Sequence, residues 1–501
     1  MRTLVVRADA GPTIGVGHLM RCLALAQAWE ANGGEVVFIT ACRSDILQKR
    51  LLDEGFEVVK LEHPHPAPDD LERTCEVLAV HPGAWVVLDG YHFDPPYQVC
   101  IKEKGHPLLV IDDMAHLEHY YADAIMNQNL HAGELEYRCE PDTKLLTGTK
   151  YVLLRREFIK WRGWKRAIPD VARKVLVTLG GGDTENLTRK VIHALQRLQV
   201  DGLEAVVVAG VCNPHYAELR SAIGDSPFSL RMESSQTNMS DLMAWADVAV
   251  TGGGSTCWEL AFMGLPSIAL ILADNQERVV ERLQVHGAVI KGGMGSNVTA
   301  DELTGAMTGL LTDPAKRSVM AKSGRELVDG EGAERVVGHL SGCGELVLRP
   351  AREEDCRLIW EWANDADARS ASFSSKRIPW DRHIKWFASK INDTHCLFYV
   401  VTDCENRPIG QIRFDIEGDN ATVSISLDRQ ARGKGYASKV IRMGSQKAFD
   451  SLGVRCIQAY IKPNNQASLR AFMKAGFKNH GHTRINGHDA VRFVLTKEEK
   501  A

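Results

Sequence analysis

The chain has 501 residues, which is too long for a single hydrophobic core and suggests about three domains of ordinary size. Its 44% hydrophobic and 25% charged residues are typical of a soluble globular protein. A net charge of −4 gives no reason to expect nucleic acid or an anionic membrane as a partner, and no apolar run approaches the roughly 20 residues of a membrane span. The twelve cysteines include no C-x-x-C pair, so we expect reduced thiols in a cytoplasmic protein.

Buried strands alternate with helices along the first 340 residues. Helical patterns such as Leu19 to Trp29 separate short runs rich in β-branched residues. These runs predict strands at Leu4 to Val6, Val36 to Thr40, Trp85 to Asp89, Leu108 to Asp112, Ile125 to Asn127, Val175 to Leu179, Ala205 to Ala209 and Val248 to Thr251. The alternation predicts an α/β fold with parallel sheets covered on both faces.

The strand pattern restarts at Val175, which predicts two Rossmann-type lobes over residues 1–165 and 166–342, with a cleft between them. A join of small residues, Ser341 to Gly344, precedes a third α/β domain over residues 345–501. Ligands of open α/β sheets bind beyond the carboxyl ends of the strands. We therefore expect the glycine-rich loops that follow the strands to face the cleft.

The segment Thr251-Gly252-Gly253-Gly254-Ser255-Thr256 follows a strand and opens a helix. Its backbone N–H groups and the positive end of the helix favour an anion such as a diphosphate. Glu259 lies one turn into the helix, where a carboxylate suits the two hydroxyls of a ribose. The competing interpretation is a tight turn followed by a capping box between Thr256 and Glu259.

His18 ends a second glycine turn, Gly15-Val16-Gly17-His18, at the start of the first helix. The positive helix end disfavours an imidazolium there, so a neutral imidazole that accepts a proton from water is expected. For a histidine considered alone, a capping or core role is the alternative. Asp9 either orients His18 or caps the loop.

Eight motifs of the first 340 residues, taken in order, resemble the UDP-sugar hydrolases of pseudaminic acid biosynthesis. The nucleotide half also resembles GT-B enzymes that use UDP-sugars. The motifs are Arg7 to Ala10, Ile14 to Cys22, Asp89 to Tyr91, Asn127 to Asn129, Leu153 to Arg155, Gly180 to Asp183, Gly252 to Glu259, and Asp329-Gly330 with Arg335-Val336. The resemblance implies release of 2,4-diacetamido-2,4,6-trideoxy-L-altrose from UDP.

By this resemblance His18 is the base for attack of water on the anomeric carbon, and Tyr91 positions water or substrate. Tyr91 also fits a half-buried aromatic residue with a satisfied hydroxyl. With Asp9 these form the predicted catalytic set, and no metal is expected because helix-end donors can stabilise a departing diphosphate. The predicted substrate-binding residues are Gly17, Arg21, Asn127, Gly181, Gly254, Ser255, Thr256, Glu259 and Asn275.

A second phosphate loop, Gln430 to Gly435, lies between a strand at Val423 to Leu427 and a helix that starts at Ala437. With Asn464 to Ser468 and Phe472-x-x-x-Gly476-Phe477 downstream, the region resembles GNAT-type N-acetyltransferases. The alternative for its basic residues is a solvated turn. The resemblance implies acetyl-CoA as co-substrate, bound by Ile425, Leu427, Arg432, Gly433, Lys434, Gly435, Tyr436, Asn465 and Ser468.

Phe472 departs from the GNAT pattern, in which a tyrosine at this place often protonates the leaving thiolate. Another group must act there, or the thiolate leaves unassisted; Tyr460 is one hypothesis. The segment from Leu348 to Phe387 is similar to acetyltransferases that modify the 4-amino group of nucleotide-linked sugars. Within it, His383 is either a base for the amine or packed against Trp386.

The two resemblances belong to successive steps, since acetylation of a UDP-4-amino sugar yields the compound that the other half would hydrolyse. The sequence therefore predicts a bifunctional enzyme whose ligands are a UDP-sugar and acetyl-CoA. Two alternatives remain: a GT-B glycosyltransferase with a fused acetyltransferase, and a non-catalytic sensor of UDP-sugar and coenzyme A.

Overall fold

A computed structural model describes residues 3–11, 14–180, 183, 185–209, 213–224, 226–234, 238–295, 297–341, 346–403, 407–450 and 453–497. The chain divides into two compact units, Met1–Val337 and Gly338–Ala501. Of the predicted join, Gly342 to Gly344 lie outside the described residues. The predicted lobe boundary at residue 165 stays a prediction.

The first lobe of unit one is built on a parallel seven-stranded sheet. Its strands are β1 Leu4–Ala8, β2 Val36–Thr40, β3 Glu57–Lys60, β4 Trp85–Asp89, β5 Leu108–Ile111, β6 Ala124–Asn127 and β7 Lys144–Thr147, in the order β3-β2-β1-β4-β5-β6-β7. Its helices are α1 Gly17–Ala31, α2 Asp45–Asp53, α3 Pro68–Val80, α4 Pro95–Glu103 and α5 Arg156–Ile159. All residues of β1 and β2 are buried, as expected for a parallel sheet covered on both faces.

The second lobe repeats this architecture with a parallel six-stranded sheet. Its strands are β8 Lys174–Thr178, β9 Glu204–Ala209, β10 Ser229–Ser234, β11 Val248–Gly252, β12 Ser267–Ile271 and β13 Val289–Met294, in the order β10-β9-β8-β11-β12-β13. Its helices are α6 Leu187–Leu195, α7 Tyr216–Ile223, α8 Met239–Trp245, α9 Thr256–Phe262, α10 Glu277–Val285, α11 Ala300–Thr312, α12 Pro314–Leu327 and α13 Gly332–Leu340. A short 3-10 segment occurs at Asp274–Gln276 of this lobe. Two more, at Ala132–Glu134 and Thr149–Tyr151, belong to the first lobe.

The strand order reverses once in each sheet, between β1 and β4 and between β8 and β11. At such a switch point the loops leave the sheet in opposite directions and open a crevice beyond the carboxyl ends of the strands. The loop before α1 and the segment after β4 lie at the first crevice. The loops after β8 and β11 lie at the second.

Unit two is built on a mixed seven-stranded sheet. Its strands are β14 Val347–Pro350, β15 Cys396–Thr402, β16 Pro408–Glu417, β17 Asn420–Leu427, β18 Cys456–Ile461, β19 Lys478–Ile485 and β20 His488–Thr496, in the order β14-β15-β16-β17-β18-β20-β19. Its helices are α14 Cys356–Asn364, α15 Ala366–Ala371, α16 Trp380–Ile391, α17 Tyr436–Asp450 and α18 Gln466–Lys474, with 3-10 segments at Glu353–Asp355 and Arg429–Ala431.

The parallel strands β17 and β18 separate part of the way along their length. Their pairing ends at Thr422 and Gln458. Beyond that point β17 remains paired with β16 as far as Leu427, and β18 with β20 as far as Ile461. The carboxyl-terminal halves of the two strands are therefore splayed, which leaves an opening in the middle of the sheet.

The predicted α/β class, with two Rossmann-type lobes and a further α/β domain, is confirmed. Among the predicted strands, Val36–Thr40 and Trp85–Asp89 have the observed bounds. The edge strands β3 and β7 were not predicted, because both are short and partly exposed. No described helix is long and apolar enough to cross a membrane.

Candidate active sites

His18 lies in the first turn of α1, which begins at Gly17. Its Nδ1 is 2.5 Å from Oδ1 of Asp89, the last residue of β4. Its ring meets the ring of Tyr91 edge to face, with centroids 5.1 Å apart. The switch point of the first sheet therefore brings together a histidine, a carboxylate and a phenol from two different loops.

Arg21, one turn after His18, fixes this carboxylate. Its Nε and Nη2 donate to Asp89 at 2.6 and 2.7 Å, and its Nη1 donates to Asp113 at 2.8 Å. Burial alone would raise the pKa of Asp89, but the charge of Arg21 and the hydrogen bonds from Arg21 and His18 outweigh it and hold that pKa well below the usual range. Asp89 is thus a carboxylate that only accepts hydrogen bonds.

A carboxylate acceptor decides the tautomer of His18. In the neutral ring Nδ1 must carry the proton that Asp89 accepts, which leaves Nε2 as the proton acceptor. Nε2 has no hydrogen-bond partner in the part of the chain that the structure describes. The arrangement can therefore take up a proton from a bound molecule.

Tyr91 bridges the two lobes. Its hydroxyl donates to Asp113 at 2.8 Å, and Asn275 of the second lobe approaches that hydroxyl at 3.4 Å. Asp113 also accepts from Asn129 at 2.8 Å. Burial and the nearby charge of Asp113 raise the pKa of Tyr91, so the phenol keeps its proton.

Asp9 does not orient His18. It accepts from both Nη atoms of Arg7, at 2.6 and 2.8 Å, and from the backbone of Ala41 at 2.7 Å. His92 lies 3.2 Å from its other side. Of the two roles predicted for Asp9, the orientation of His18 is therefore wrong: Asp89 is the carboxylate that contacts His18, and Asp9 fixes the loop ends after β1 and β2.

Two predicted substrate ligands also have other partners. Arg21 places all three guanidinium nitrogens against Asp89 and Asp113 and so fixes these two carboxylates; its predicted contact with substrate stays a prediction. Asn127 is fully buried, donates to Tyr137 and accepts from the backbone of Asn129. These partners were not predicted from the sequence, because they lie far from Arg21 and Asn127 along the chain or follow from the packing of the sheet.

The glycines of the second-lobe loop differ in their surroundings. A Cβ at Gly252 would lie 2.7 Å from Leu272, and one at Gly253 would lie 2.5 Å from Val280, so packing requires both glycines. At Gly254 the nearest atom would be 3.9 Å away. Gly254 therefore has room for a side chain, and close packing does not explain it.

The loop before α1 approaches the loop after β11 across the cleft. A Cβ at Gly17 would lie 3.2 Å from Oγ of Ser255. Gly17, Gly254, Ser255 and Thr256 are all partly exposed. The predicted diphosphate loop and the histidine loop therefore belong to one cleft.

Glu259 does not form a capping box. Ser255 is the N-cap of α9, and no side chain caps the helix. Arg155 donates to Oε1 of Glu259 at 2.8 Å. Burial raises the pKa of Glu259, while Arg155 opposes that rise. Oε2 accepts no hydrogen bond from a described residue and is available to a ligand.

Gly181, a predicted substrate ligand, lies outside the described residues. In the described ranges no three His, Cys, Asp or Glu side chains form a metal site. The nine described cysteines are free thiols.

In unit two, the phosphate loop is shaped by its glycines. Gly433 and Gly435 have φ values of +77° and +79°, a region that favours glycine. Both are exposed, as is Lys434. Tyr436 is buried in the core of unit two, and its predicted contact with cofactor stays a prediction.

Arg432 has a structural role that was not predicted. Its Nη1 lies 2.6 Å from Asp365 and 3.0 Å from Asp367, and its Nε donates to the carbonyl of Leu427. These bonds tie the phosphate loop to α15. Its predicted contact with cofactor stays a prediction.

The other predicted cofactor residues surround the opening between β17 and β18. Ile425 and Leu427 lie on the splayed half of β17, which no longer pairs with β18. Asn465 caps α18 by accepting from the backbone of Ser468 at 3.1 Å. The geometry is consistent with these assignments but does not test them.

Three further hypotheses for this unit have structural outcomes. Phe472 is buried and packs edge to face on Phe477. Tyr460 donates to Gln458 at 2.8 Å. His383 is buried, lies 3.0 Å from the carbonyl of Cys356 and packs among aromatic rings, which favours packing over catalysis.

Sequence analysis gave no role to Asp89 or Asp113, although both are central to the first site. A signal existed, since each is an acidic residue at or just after the carboxyl end of a buried strand. What the sequence could not show is which cation they share, because Arg21 is 68 residues from Asp89 and 92 from Asp113.

Comparisons with known proteins agree with this division. Residues 174–322 match the model of the glycosyltransferase family 28 C-terminal domain, and residues 345–478 match that of the acetyltransferase (GNAT) domain. An uncharacterized protein of Methanocaldococcus jannaschii is 22% identical over 95% of this chain and 96% of its own length.

Two further relatives match part of the chain. The spore coat polysaccharide biosynthesis protein SpsG of Bacillus subtilis is 29% identical over 44% of this chain and 65% of its own length. The UDP-2,4-diacetamido-2,4,6-trideoxy-beta-L-altropyranose hydrolase of Campylobacter jejuni is 22% identical over 57% of this chain and 97% of its own length.

Fold and site define a class: a two-lobed region similar to nucleotide-sugar enzymes, joined to a GNAT acetyltransferase domain. The more particular resemblance, to hydrolases of the pseudaminic acid pathway fused to an acetyltransferase, is confirmed. The chain is accordingly an enzyme.

Proposed function

We propose that the first 340 residues hydrolyse UDP-2,4-diacetamido-2,4,6-trideoxy-β-L-altropyranose to UDP and free sugar. Residues 345–501 would N-acetylate the 4-amino group of the UDP-amino-sugar precursor with acetyl-CoA. The observation that carries the first activity is the His18–Asp89 pair, whose ring nitrogen Nε2 is left without a described partner at the cleft. The second rests on the GNAT domain match.

In the hydrolytic step, Nε2 of His18 takes a proton from water as the water oxygen attacks the anomeric carbon. The bond from that carbon to the diphosphate oxygen breaks, and UDP leaves with the bonding electron pair. Asp89 stabilises the imidazolium that forms, as a buried carboxylate does for other catalytic histidines. Tyr91 keeps its proton and is available to orient the water or the sugar.

UDP would be held by the second lobe. The backbone N–H groups from Gly254 to Thr256 suit the diphosphate, since Gly254 leaves room for close approach. Oε2 of Glu259 suits the ribose hydroxyls, with Arg155 fixing the other oxygen. Asn275 lies beside Tyr91 and would contact the sugar.

In the acetyl transfer, the amine nitrogen attacks the thioester carbonyl, the carbon–sulfur bond breaks and coenzyme A leaves as a thiolate. The amine loses one proton and the thiolate gains one. Phe472 donates no proton, so Tyr460, which lies in the splayed half of β18, remains the hypothesis for the acid. Acetylation precedes hydrolysis in this scheme.

The test is mass spectrometry of the products formed from a UDP-linked 4-amino sugar with and without acetyl-CoA. The proposal expects an acetylated UDP-sugar, then free diacetamido sugar and UDP, only when acetyl-CoA is present. In water enriched in oxygen-18, carbon–oxygen cleavage leaves UDP unlabelled. Labelled UDP would contradict the proposed attack on carbon.

The same assay separates the alternatives. A glycosyltransferase would release no sugar into water without an acceptor, and a sensor would release no UDP over many turnovers. His18→Ala should slow UDP release by at least about a hundredfold while UDP affinity stays nearly unchanged, as for a lost general base. Normal turnover in this variant would refute the base assignment.

A further inference from the structure

Helix α15 lies across the opening between β17 and β18. At its start Asp365 and Asp367 pair with Arg432 of the loop that follows β17. Near its end the carbonyl of Ser370 accepts from Lys462, the residue that follows β18, at 2.8 Å. The segment after α15 therefore begins beside the splayed strand ends.

This segment, residues 372–378, is held at its first half by Arg369. Nη1 of Arg369 donates to the carbonyls of Ser374 and Lys376 at 3.1 and 3.2 Å. Nη2 donates to the hydroxyl of Ser372 at 3.0 Å. One half-buried cation thus fixes three points of the loop.

The last residue of the segment is held by α14. The side chain of Asn364 accepts from the backbone N–H of Ile378 at 2.7 Å. The indole of Trp360 donates to the carbonyl of Ile378 at 2.8 Å. The residues between the two anchors are therefore presented in a defined conformation.

The segment carries two cationic side chains, those of Lys376 and Arg377. Both are exposed, and neither has an ion-pair partner among the described residues. The guanidinium of Arg377 lies 5.5 Å from the ring centre of Trp360. A fixed loop that carries two unbalanced positive charges favours an anionic ligand.

An aromatic surface lies beside these cations. Trp380 is 40% exposed and meets Trp360 edge to face at 5.3 Å. Ile384, one turn further along α16, is 42% exposed. Exposed aromatic faces stack nucleobases, and cations at one edge of such a face suit the attached phosphates.

We propose that Lys376, Arg377, Trp360 and Trp380 form the recognition site for the nucleoside diphosphate part of the acetyl acceptor. This inference rests on the proposed function and deepens it. The diphosphate pairs with Lys376 and Arg377, the base stacks on Trp380, and the amino sugar extends toward the opening between β17 and β18. A polycationic acceptor is disfavoured by the same charges.

The experiment measures coenzyme A release by the full chain with a UDP-linked 4-amino sugar and with the same amino sugar lacking the nucleotide. Arg377→Glu and Trp380→Ala should each raise KM for the UDP-linked acceptor by about tenfold or more, since one charge-assisted or stacking contact is lost. KM for acetyl-CoA should not change. Lys478→Glu, the same charge reversal on the exposed edge strand β19, is the matched control.

Unchanged acceptor KM in both variants would overturn the recognition site while leaving acetylation of the UDP-sugar intact. Equal loss in Lys478→Glu would also overturn it, because the effect would then be one of net charge. If the native chain prefers the nucleotide-free amino sugar or a polyamine, the proposed function itself fails. Unaltered acetyl-CoA kinetics in Trp380→Ala serves as the test that this variant is folded.

Discussion

Two arginines, one in each unit, were predicted to hold ligands, and each lies between two carboxylates. Arg21 pairs with Asp89 and Asp113, and Arg432 pairs with Asp365 and Asp367. In both sites the arginine fixes a loop. A cation within a predicted ligand-binding motif can therefore act indirectly: it fixes the loop in position, and neighbouring groups of the loop are left to contact the ligand.

The groups that remain for the ligand differ between the two sites. In unit one they are side chains with defined chemistry, above all the imidazole of His18. In unit two the predicted contacts lie on a loop whose path depends on Gly433 and Gly435 at positive φ. Activity of the first site should therefore be most sensitive to the loss of one side-chain group. Activity of the second site should be most sensitive to a side chain that blocks access to the loop backbone.

The largest expected effect is the loss of acetyl transfer in Gly433→Asp. A side chain and negative charge would stand where the pyrophosphate of coenzyme A approaches the loop. Hydrolysis of the already acetylated UDP-sugar, followed as UDP release, should persist. Gly453→Asp is the control, since that glycine also has positive φ (+70°) and open space but lies outside the loop.

Retained acetyl transfer in Gly433→Asp would mean that this loop does not hold the pyrophosphate. Loss of both activities in a folded variant would mean that the two catalysts are not separable.

The substitutions Asp89→Asn and Asp113→Asn separate the contributions of the two carboxylates of the first site to UDP release. In Asp89→Asn the new amide could present its NH2 group to Nδ1 of His18 and favour the wrong tautomer, so the kcat of UDP release should fall by about a hundredfold or more. Asp113→Asn leaves the His18 contact intact and should affect kcat much less. Similar losses in both variants would show that Arg21, which both carboxylates share, matters more than the tautomer.

The raised pKa of Glu259 predicts that the binding of the UDP-sugar depends on pH. Its pKa is raised above the ordinary 4.5, so the carboxylate is present above that raised value and is lost as pH falls through it. UDP-sugar affinity, measured by calorimetry, should decline with falling pH over that range. Glu259→Gln should bind about ten- to a hundredfold more weakly at pH 8 and should lose this dependence, because charge-assisted bonds contribute about 1.5–3 kcal/mol. The same pH dependence in Glu259→Gln would assign the titration to another group.

The smallest expected effects distinguish neighbouring glycines. Gly253→Ala should lower the free energy of unfolding by about 1–3 kcal/mol, because its Cβ would overlap Val280. Gly254→Ala has room and should leave stability unchanged while weakening UDP binding several-fold. Thermal unfolding and calorimetry on both variants provide the check, and unchanged UDP affinity in Gly254→Ala would remove this residue from the binding site.

The sequence alone predicted which loops would lie together at the ends of the strands. Runs of buried β-branched residues define strands, and in a parallel sheet their carboxyl ends converge at the switch point, so the loops of His18 and Ser255 were expected to face one cleft. The phosphate loop between Leu427 and Tyr436 was located from its glycine pattern between a predicted strand and a predicted helix. These patterns involve residues that are close together in the chain, so the sequence is enough to recognise them.

Only the tertiary structure decided which side chains act together. Asp89 rather than Asp9 orients His18, and Arg155 rather than Thr256 binds Glu259, because packing of the sheets brings together residues far apart in the chain. Arg21 and Asn127 have buried partners for the same reason. A buried polar group needs a hydrogen-bond partner, and the tertiary fold determines which group lies close enough to serve.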